Sequence, residues 1–290
     1  MKIAVFGNIY RPVILSHIKV LFDFFKQKGV TLMLDNELFD FVKSYDQCCM
    51  DHTEIILDDN FDADIALSIG GDGTFLTTAA RVGRKNIPIL GINTGRLGFL
   101  ADVATENILP ALETIISKKY TIEERSLLQV EAGDGTPFGY SCVLNDISIS
   151  KQDSSSMISI NVSLNSEAVH TYQADGLVIS TPTGSTAYSM SVGGPLLVPQ
   201  AQNIILSPVA SHSLNVRPLV IPDNWVIDLE VKSRSNSYMI SLDGRTKVMD
   251  QNTKLRVSKA DYTVKVIKQL NHTFFDSLKS KLMWGVDMRN

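Results

Sequence analysis

The sequence is short of cysteine, of net charge, of long apolar runs and of histidines at metal-binding spacing, and each shortage excludes a class of protein. Cysteine occurs three times in 290 residues, at Cys48, Cys49 and Cys142. An odd count with two adjacent thiols makes a poor disulfide framework and fits a reducing, cytoplasmic setting. The five histidines, His17, His52, His170, His212 and His272, show no paired ligand spacing, so no structural zinc site is expected. Lys plus Arg total 27 against 31 Asp plus Glu, a formal charge of −4 that leaves no basic field for wrapping nucleic acid. No apolar run reaches the ~20 residues that span a bilayer, and the opening Met1–Gly7 reads as a strand, not a leader. With 44% hydrophobic and 20% charged residues, the composition is that of a globular chain with one large domain or two ordinary ones.

What is present changes character along the chain. Ile3 to Phe6 is a short apolar run ending at Gly7. Pro12 then precedes Ile14, Ile18, Leu21, Phe22 and Phe25, a helical spacing closed by Gly29. Val30 to Leu34, Asp64 to Ile69 and Ile87 to Ile92 read as further strands, with a helical stretch from Phe75 to about Val82. This alternation predicts an α/β domain with a mostly parallel sheet and helices on its faces. After Lys119 the period becomes two: Ile158, Ile160, Val162 and Leu164 share one side of a strand, and Trp225, Ile227, Leu229 and Val231 alternate likewise. Asp243-Gly244 reads as a hairpin turn between Tyr238–Leu242 and Thr246–Met249. Phe274 to Leu282 returns to helical spacing.

Two segments carry chemistry. Gly70-Gly71-Asp72-Gly73-Thr74 lies between a strand and a helix, where small residues let a phosphate approach backbone N–H groups. A carboxylate among phosphate-directed donors would repel the ligand unless it holds a cation or accepts a proton, so a loop that only bound the ligand would do better without Asp72. The bland alternative is that Asp72 caps the helix and the glycines make the turn. Neither G-x-x-x-x-G-K-[ST] nor G-x-G-x-x-G occurs, which sets aside the usual nucleotide loops. The second segment runs from Asp175 to Pro195: a strand, a Thr-Pro-Thr-Gly-Ser turn and a short helix ended by Gly193-Gly194. Its hydroxyls from Ser180 to Ser191, with the ring of Tyr188, suit a ribose or an adenine, or else make a polar surface turn.

These segments, with Asn145-Asp146 and Ser211–Leu219, stand in the order seen in NAD kinases, and the similarity runs from Met1 to Trp284-Gly285. The Gly-Gly-Asp-Gly-Thr turn alone also occurs in lipid kinases and phosphofructokinases; the long second motif together with Asn145-Asp146 narrows the resemblance to NAD kinases. It implies a Rossmann-like α/β domain over residues 1–119, a β-rich, β-sandwich-like domain with the dinucleotide pocket over 120–270, and a tail, 271–290, packing back on the first domain.

The resemblance also implies roles. Asp72 matches the base for the 2′-hydroxyl of the adenosine ribose, and Gly73 the point where backbone meets substrate. Asn145 and Asp146 match the family's Asn followed by an acid, Asp146 being one methylene shorter than the Glu of many members. Asp175 faces the nicotinamide side; Thr186, Ala187, Tyr188, Ser189, Met190 and Ser191 line the adenosine pocket, and Ala210 lines it too. Arg245 replaces the Gln of the more familiar Asp-Gly-Gln, and either pairs with a phosphate or is a solvated hairpin residue. The implied reaction moves the γ-phosphate of ATP to the 2′-hydroxyl of NAD, giving NADP. A divalent cation, Mg²⁺ above all, is expected to bridge the donor phosphates without a dedicated set of protein ligands. A cytoplasmic homodimer or homotetramer with NAD and ATP as partners, and with neither nucleic acid nor membrane, completes the expectation. A lipid kinase of the diacylglycerol or sphingosine type and a non-catalytic NAD-binding regulator stay open as alternatives.

Overall fold

The computed structural model describes residues 1–10, 14–45, 53–95, 98–133, 135, 138–153, 156–270 and 273–285. Pro12, read above as a helix-start signal, and Cys48, Cys49, His52 and His272 lie outside them. Two compact units divide the chain, Met1–Glu124 with Val264–Asn290, and Arg125–Thr263.

The first unit is built on parallel strands in the spatial order Thr53–Ile56, Thr31–Asp35, Lys2–Gly7, Ile65–Gly70 and Ile89–Asn93. Val266 of the strand Leu255–Gln269 continues it in parallel beside Ile89. Strand Ile65–Gly70 is buried along its whole length, as a strand covered by helices on both faces must be. Helix Ile14–Lys28 turns Ile14, Ile18, Leu21, Phe24 and Phe25 inward, carries Lys26 and Lys28 in its last turn, where the helix dipole favours positive charge, and ends at Gly29 with φ 66°. The α/β pattern read from the sequence is borne out. Helix Asn36–Ser44 and the edge strand Thr53–Ile56 are additions to it, the latter having no alternation to reveal it: Glu54 and Ile55 both face out.

The chain runs outward from Lys2–Gly7 to Thr53–Ile56, then crosses to the other side of Lys2–Gly7 to form Ile65–Gly70. The strand order therefore reverses between Lys2–Gly7 and Ile65–Gly70. In open α/β sheets the crevice beyond the carboxyl ends of strands at such a switch point takes the ligand. Gly70–Thr74 leaves the sheet at that point.

The second unit packs two antiparallel sheets face to face. One has the order Leu219–Pro222, Asn203–Val209, Gly176–Ser180, Asp146–Lys151, Ser237–Leu242, Arg245–Asp250. In the other, Glu167–Ala174, Ile158–Leu164 and Ile227–Lys232 lead to Leu255–Gln269. Ile158, Ile160, Val162 and Leu164 are buried and their neighbours half-buried, matching the period of two, and they share one core with Ile147, Ile149, Leu177 and Ile240. Each such fully buried aliphatic side chain is worth roughly 1.5–3 kcal/mol. Asp243 at φ 48° and Gly244 at φ 83° make the two-residue turn of a hairpin, both in the left-handed region that a tight turn of this twist requires. The units change over inside two long strands, Tyr120–Ala132 and Leu255–Gln269, where no shift in composition marks a boundary. Helix Phe274–Leu282 belongs to the first unit and opens on a reciprocal cap between Thr273 and Asp276.

Candidate functional site

Asp72 is the first residue of helix Asp72–Val82, behind an N-cap, Gly71, that has no side chain to cap with, and the hydrogen bonds of its carboxylate do not turn back on the helix. It turns instead to the segment after strand Ile89–Asn93. Its Oδ2 accepts the Phe99 N–H at 2.8 Å, and its Oδ1 accepts those of Leu100 and Ala101, each at 3.0 Å. A Cβ at Gly98 would fall inside the Asp72 carboxylate, so a glycine is required there. A carboxylate offers about four acceptor directions; among the described residues three are taken, which leaves one on Oδ2. Gly71 and Gly73 have open space where a Cβ would stand, and Gly73 is exposed, so the N-terminal amides of the helix can be approached closely.

In the second unit Asn145 and Asp146 are held by an acid that the sequence reading took only for a turn residue. Asp243 accepts the N–H of Leu144 at 2.7 Å, of Asn145 at 2.9 Å and of Asp146 at 3.1 Å. The Asn145 side chain carries no hydrogen bond among the described residues, and its donors and acceptor remain for a ligand. Asp146 is 8% exposed. Burial first, then the charge of Asp243, pushes its carboxyl up to about 7. Asp243 is also raised by burial, against the pull of its three backbone N–H donors and Arg245. Of the pair, Asp243 is the member whose charge those donors hold, and Asp146 the one that keeps a proton.

Most hydroxyls of the second motif are spent within the fold. Thr181 Oγ1 donates to the Leu144 carbonyl at 2.6 Å, Ser185 Oγ to Pro182 at 2.7 Å, and Ser189 Oγ shares a bond with Ser207 at 3.2 Å. A Cβ at Gly184 would overlap the Asn145 carbonyl, so this turn is stitched directly to Asn145. Thr186, Ala187, Tyr188, Met190 and Ser191 remain accessible, with Tyr188 43% exposed. Ser189 is buried against Ser207 and presents nothing outward.

Asp175, just before strand Gly176–Ser180, and Ala210, just after its neighbour Asn203–Val209, lie together where Gly176 pairs with Val209. The Asp175 N–H bonds the Val209 carbonyl at 2.9 Å, and its carboxylate pairs with Lys151 at 2.7 Å. Ala210 is exposed with φ 46°. Strand Gly176–Ser180 separates this pair from Thr181 by about 20 Å of extended chain, so Asp175 and Asn145 are not brought side by side. Arg245 donates to the Leu242 carbonyl at 3.0 Å and stacks on Tyr140 at 5.0 Å, an arrangement that ties it to its own hairpin. Among the described residues no group of three His, Cys, Asp or Glu could hold a metal ion. Sequence reasoning missed Asp243, the Gly98–Ala101 segment and Lys281; the Asp-Gly dipeptide was the one available signal for the first.

A doubly wound sheet with an acid-bearing glycine turn at its switch point defines a nucleotide-dependent phosphotransferase. Residues 12–120 match the ATP-NAD kinase N-terminal domain and residues 144–269 the ATP-NAD kinase C-terminal domain. The sequence is 50% identical over 289 residues to the NAD kinase of Bacteroides fragilis, covering 100% of both chains. Its fold is similar to that of yeast NADH kinase, crystallised with NADH, at a TM-score of 0.90 and 19% identity, over 100% of this chain and 89% of that one. It is also similar to an NAD kinase from Archaeoglobus fulgidus crystallised with ATP, at a TM-score of 0.76 and 24% identity, over 98% and 99% of the two chains. The chain belongs to the NAD kinase family.

Proposed function

We propose that this chain transfers the γ-phosphate of ATP to the 2′-hydroxyl of the adenosine ribose of NAD, giving NADP and ADP. The observation that carries the reading is the Asp72 carboxylate, fixed by three backbone amides at the switch point with one acceptor direction open among the described residues. The 2′-oxygen attacks the γ-phosphorus, the bond from that phosphorus to the bridging oxygen breaks, and the electron pair leaves with ADP. Asp72 orients the hydroxyl through Oδ2 and takes its proton. Loose phosphoryl-transfer transition states reward this positioning more than strong basicity.

Gly73 brings the backbone N–H groups of the helix start to the donor phosphates. Asn145 and Asp146 hold a base edge and a ribose hydroxyl, and the Tyr188 ring offers a face to the adenine, flanked by Thr186, Ala187, Met190 and Ser191. Ser189 acts beneath them through Ser207. Asp175 and Ala210 contact the dinucleotide from their own end of the strand. Arg245 serves its hairpin, on the strength of its carbonyl bond and its stacking on Tyr140.

The described residues do not fit a protein-held divalent ion, because no three-ligand cluster exists among them and Asp72 Oδ1 already accepts two amides. The cation is therefore assigned to the donor, which enters as metal–ATP, and the expected ion is Mg²⁺. A homodimer or homotetramer is proposed on the family resemblance, and the separation of Asp175 from Asn145 supports a pocket completed by a neighbouring subunit. Among the described residues no helix is long and apolar enough to cross a membrane; the cytoplasm is proposed on the cysteine usage of the sequence. The test is NADP formation from NAD and Mg²⁺–ATP, read by a dehydrogenase that accepts NADP and not NAD. NADP formed from NAD, with no phosphate passed from labelled ATP to a diacylglycerol in vesicles, supports the reading; NAD binding without any NADP overturns it.

A further inference from the structure

Helix Phe274–Leu282 lies in the same unit as the Gly70–Thr74 turn and carries a lysine that none of the roles above uses. Lys281 Nζ is buried, and among the described residues it has no hydrogen-bond partner. It stands 4.6 Å from the centroid of the Phe99 ring, and the Phe99 N–H is the one that holds Asp72 Oδ2 at 2.8 Å. The charged groups that face it are Asp72, Asp102 and Lys268. Neither carboxylate serves as its partner. Asp102 holds Lys268 at 2.5 Å, and three of the acceptor directions of Asp72 go to backbone amides.

A lysine head normally reaches water while its stem covers apolar surface. Here the head itself is enclosed, with three donors and no acceptor among the described residues. Burial draws the ammonium down to about 8, while the charges of Asp72 and Asp102 act to keep the proton on and Lys268 acts against them. An enclosed ammonium without a hydrogen bond costs stability, and the Phe99 ring and the charges of Asp72 and Asp102 offset that cost without supplying an acceptor among the described residues. The chemistry that would satisfy it is an anionic oxygen arriving beside Asp72. The start of helix Asp72–Val82, which Asp72 itself opens, also favours an anion.

We propose that Lys281 is a phosphate-binding residue: its ammonium takes a phosphoryl oxygen of the donor nucleotide at the Gly70–Thr74 turn. This rests on the reading of the chain as an ATP-dependent NAD phosphotransferase. Lys281 supplies the fixed positive charge that the turn itself lacks, and Phe99 links it to the segment that fixes Asp72. A lysine that merely packed on Phe99 would contribute to stability and leave donor affinity alone.

The two roles part in an experiment on the full chain with Lys281→Met, which keeps the stem and removes the charge, and Lys281→Arg. ATP and NAD affinities are measured by calorimetry, and unfolding temperature without ligand. Expected for Lys281→Met are an ATP affinity weakened by about tenfold or more, the scale of a charge-assisted hydrogen bond, an unchanged NAD affinity and a raised unfolding temperature. Lys281→Arg is expected to recover part of the ATP affinity. Unchanged ATP affinity in Lys281→Met overturns the proposal, as does a lowered unfolding temperature with equal losses for ATP and NAD. Wild-type NADP formation is assayed separately. Selective loss of ATP binding in a chain that makes no NADP would support the lysine contact while overturning the kinase reading.

Discussion

Asp243 accepts the backbone N–H of Asp146 at 3.1 Å while its own N–H returns to the Asp146 carbonyl at 3.1 Å, so the two carboxyls are held as near neighbours. A pair of acids in one enclosed place cannot both ionise cheaply.

The Asp146 carboxyl, pushed up to about 7, keeps its proton in the fold over a range where the unfolded chain has lost it. In that range the folded state binds more protons, so this contribution to stability is full below about pH 4 and is lost as pH rises through about 7. Asp146→Asn, which keeps the shape without the charge, is therefore expected to unfold at a higher temperature than wild type at about pH 8. The advantage is expected to shrink toward about pH 5. Thermal unfolding across that range checks it, and a difference that ignores pH would remove Asp146 as the titrating group.

Gly98→Ala places a methyl group where the Asp72 carboxylate stands. The side chain has to move, and its bonds to Phe99, Leu100 and Ala101 go with it. The expected outcome is a kcat lowered by about 100-fold with NAD affinity retained, since a positioned base contributes about 10²–10⁴ and its displacement forfeits at least the low end. Steady-state kinetics with calorimetric NAD binding reads both quantities; unaltered kcat would show that the carboxylate position does not matter.

Tyr188 is 43% exposed on a turn whose hydroxyls are mostly engaged below it. Tyr188→Ala is expected to raise the NAD KM about 5- to 10-fold, the worth of one stacked aromatic face of about 1–1.5 kcal/mol, with kcat nearly kept. If KM and kcat both stay at the wild-type values, Tyr188 lies outside the pocket.

A chelator is expected to stop turnover without moving the unfolding temperature of the ligand-free chain. The cation belongs to the donor, and among the described residues no cluster holds a metal. A fall in unfolding temperature on chelation would point to a resident ion.

The parts of this molecule that announce themselves in sequence are those whose cause is local. Gly70–Thr74 needs only neighbouring glycines and an acid, and Ile158–Leu164 only a period of two. Asp243 is different, because its partners lie 97 to 99 residues away and are brought to it by pairing between Asp146–Lys151 and Ser237–Leu242. The sequence shows an Asp-Gly turn and nothing of what the carboxylate grips. The hydroxyls of Thr181, Ser185 and Ser189 read as ligand groups because composition displays the donors but not the carbonyl and hydroxyl partners that occupy them. Asp72 shows both sides: its turn marks it at once, yet its three amide donors come from a segment 27 to 29 residues on. Lys281 looks like one of the two surface lysines of a short helix until its neighbours are known.

The most direct test of Asp72 as the group that orients and deprotonates the 2′-hydroxyl is Asp72→Asn beside wild type, with NADP formation and NAD binding measured on the same preparations. The expected result is a kcat lowered by at least about 100-fold while NAD still binds with nearly wild-type affinity. Turnover that survives the substitution, or a loss of NAD binding as large as the loss of turnover, would contradict the role assigned to Asp72.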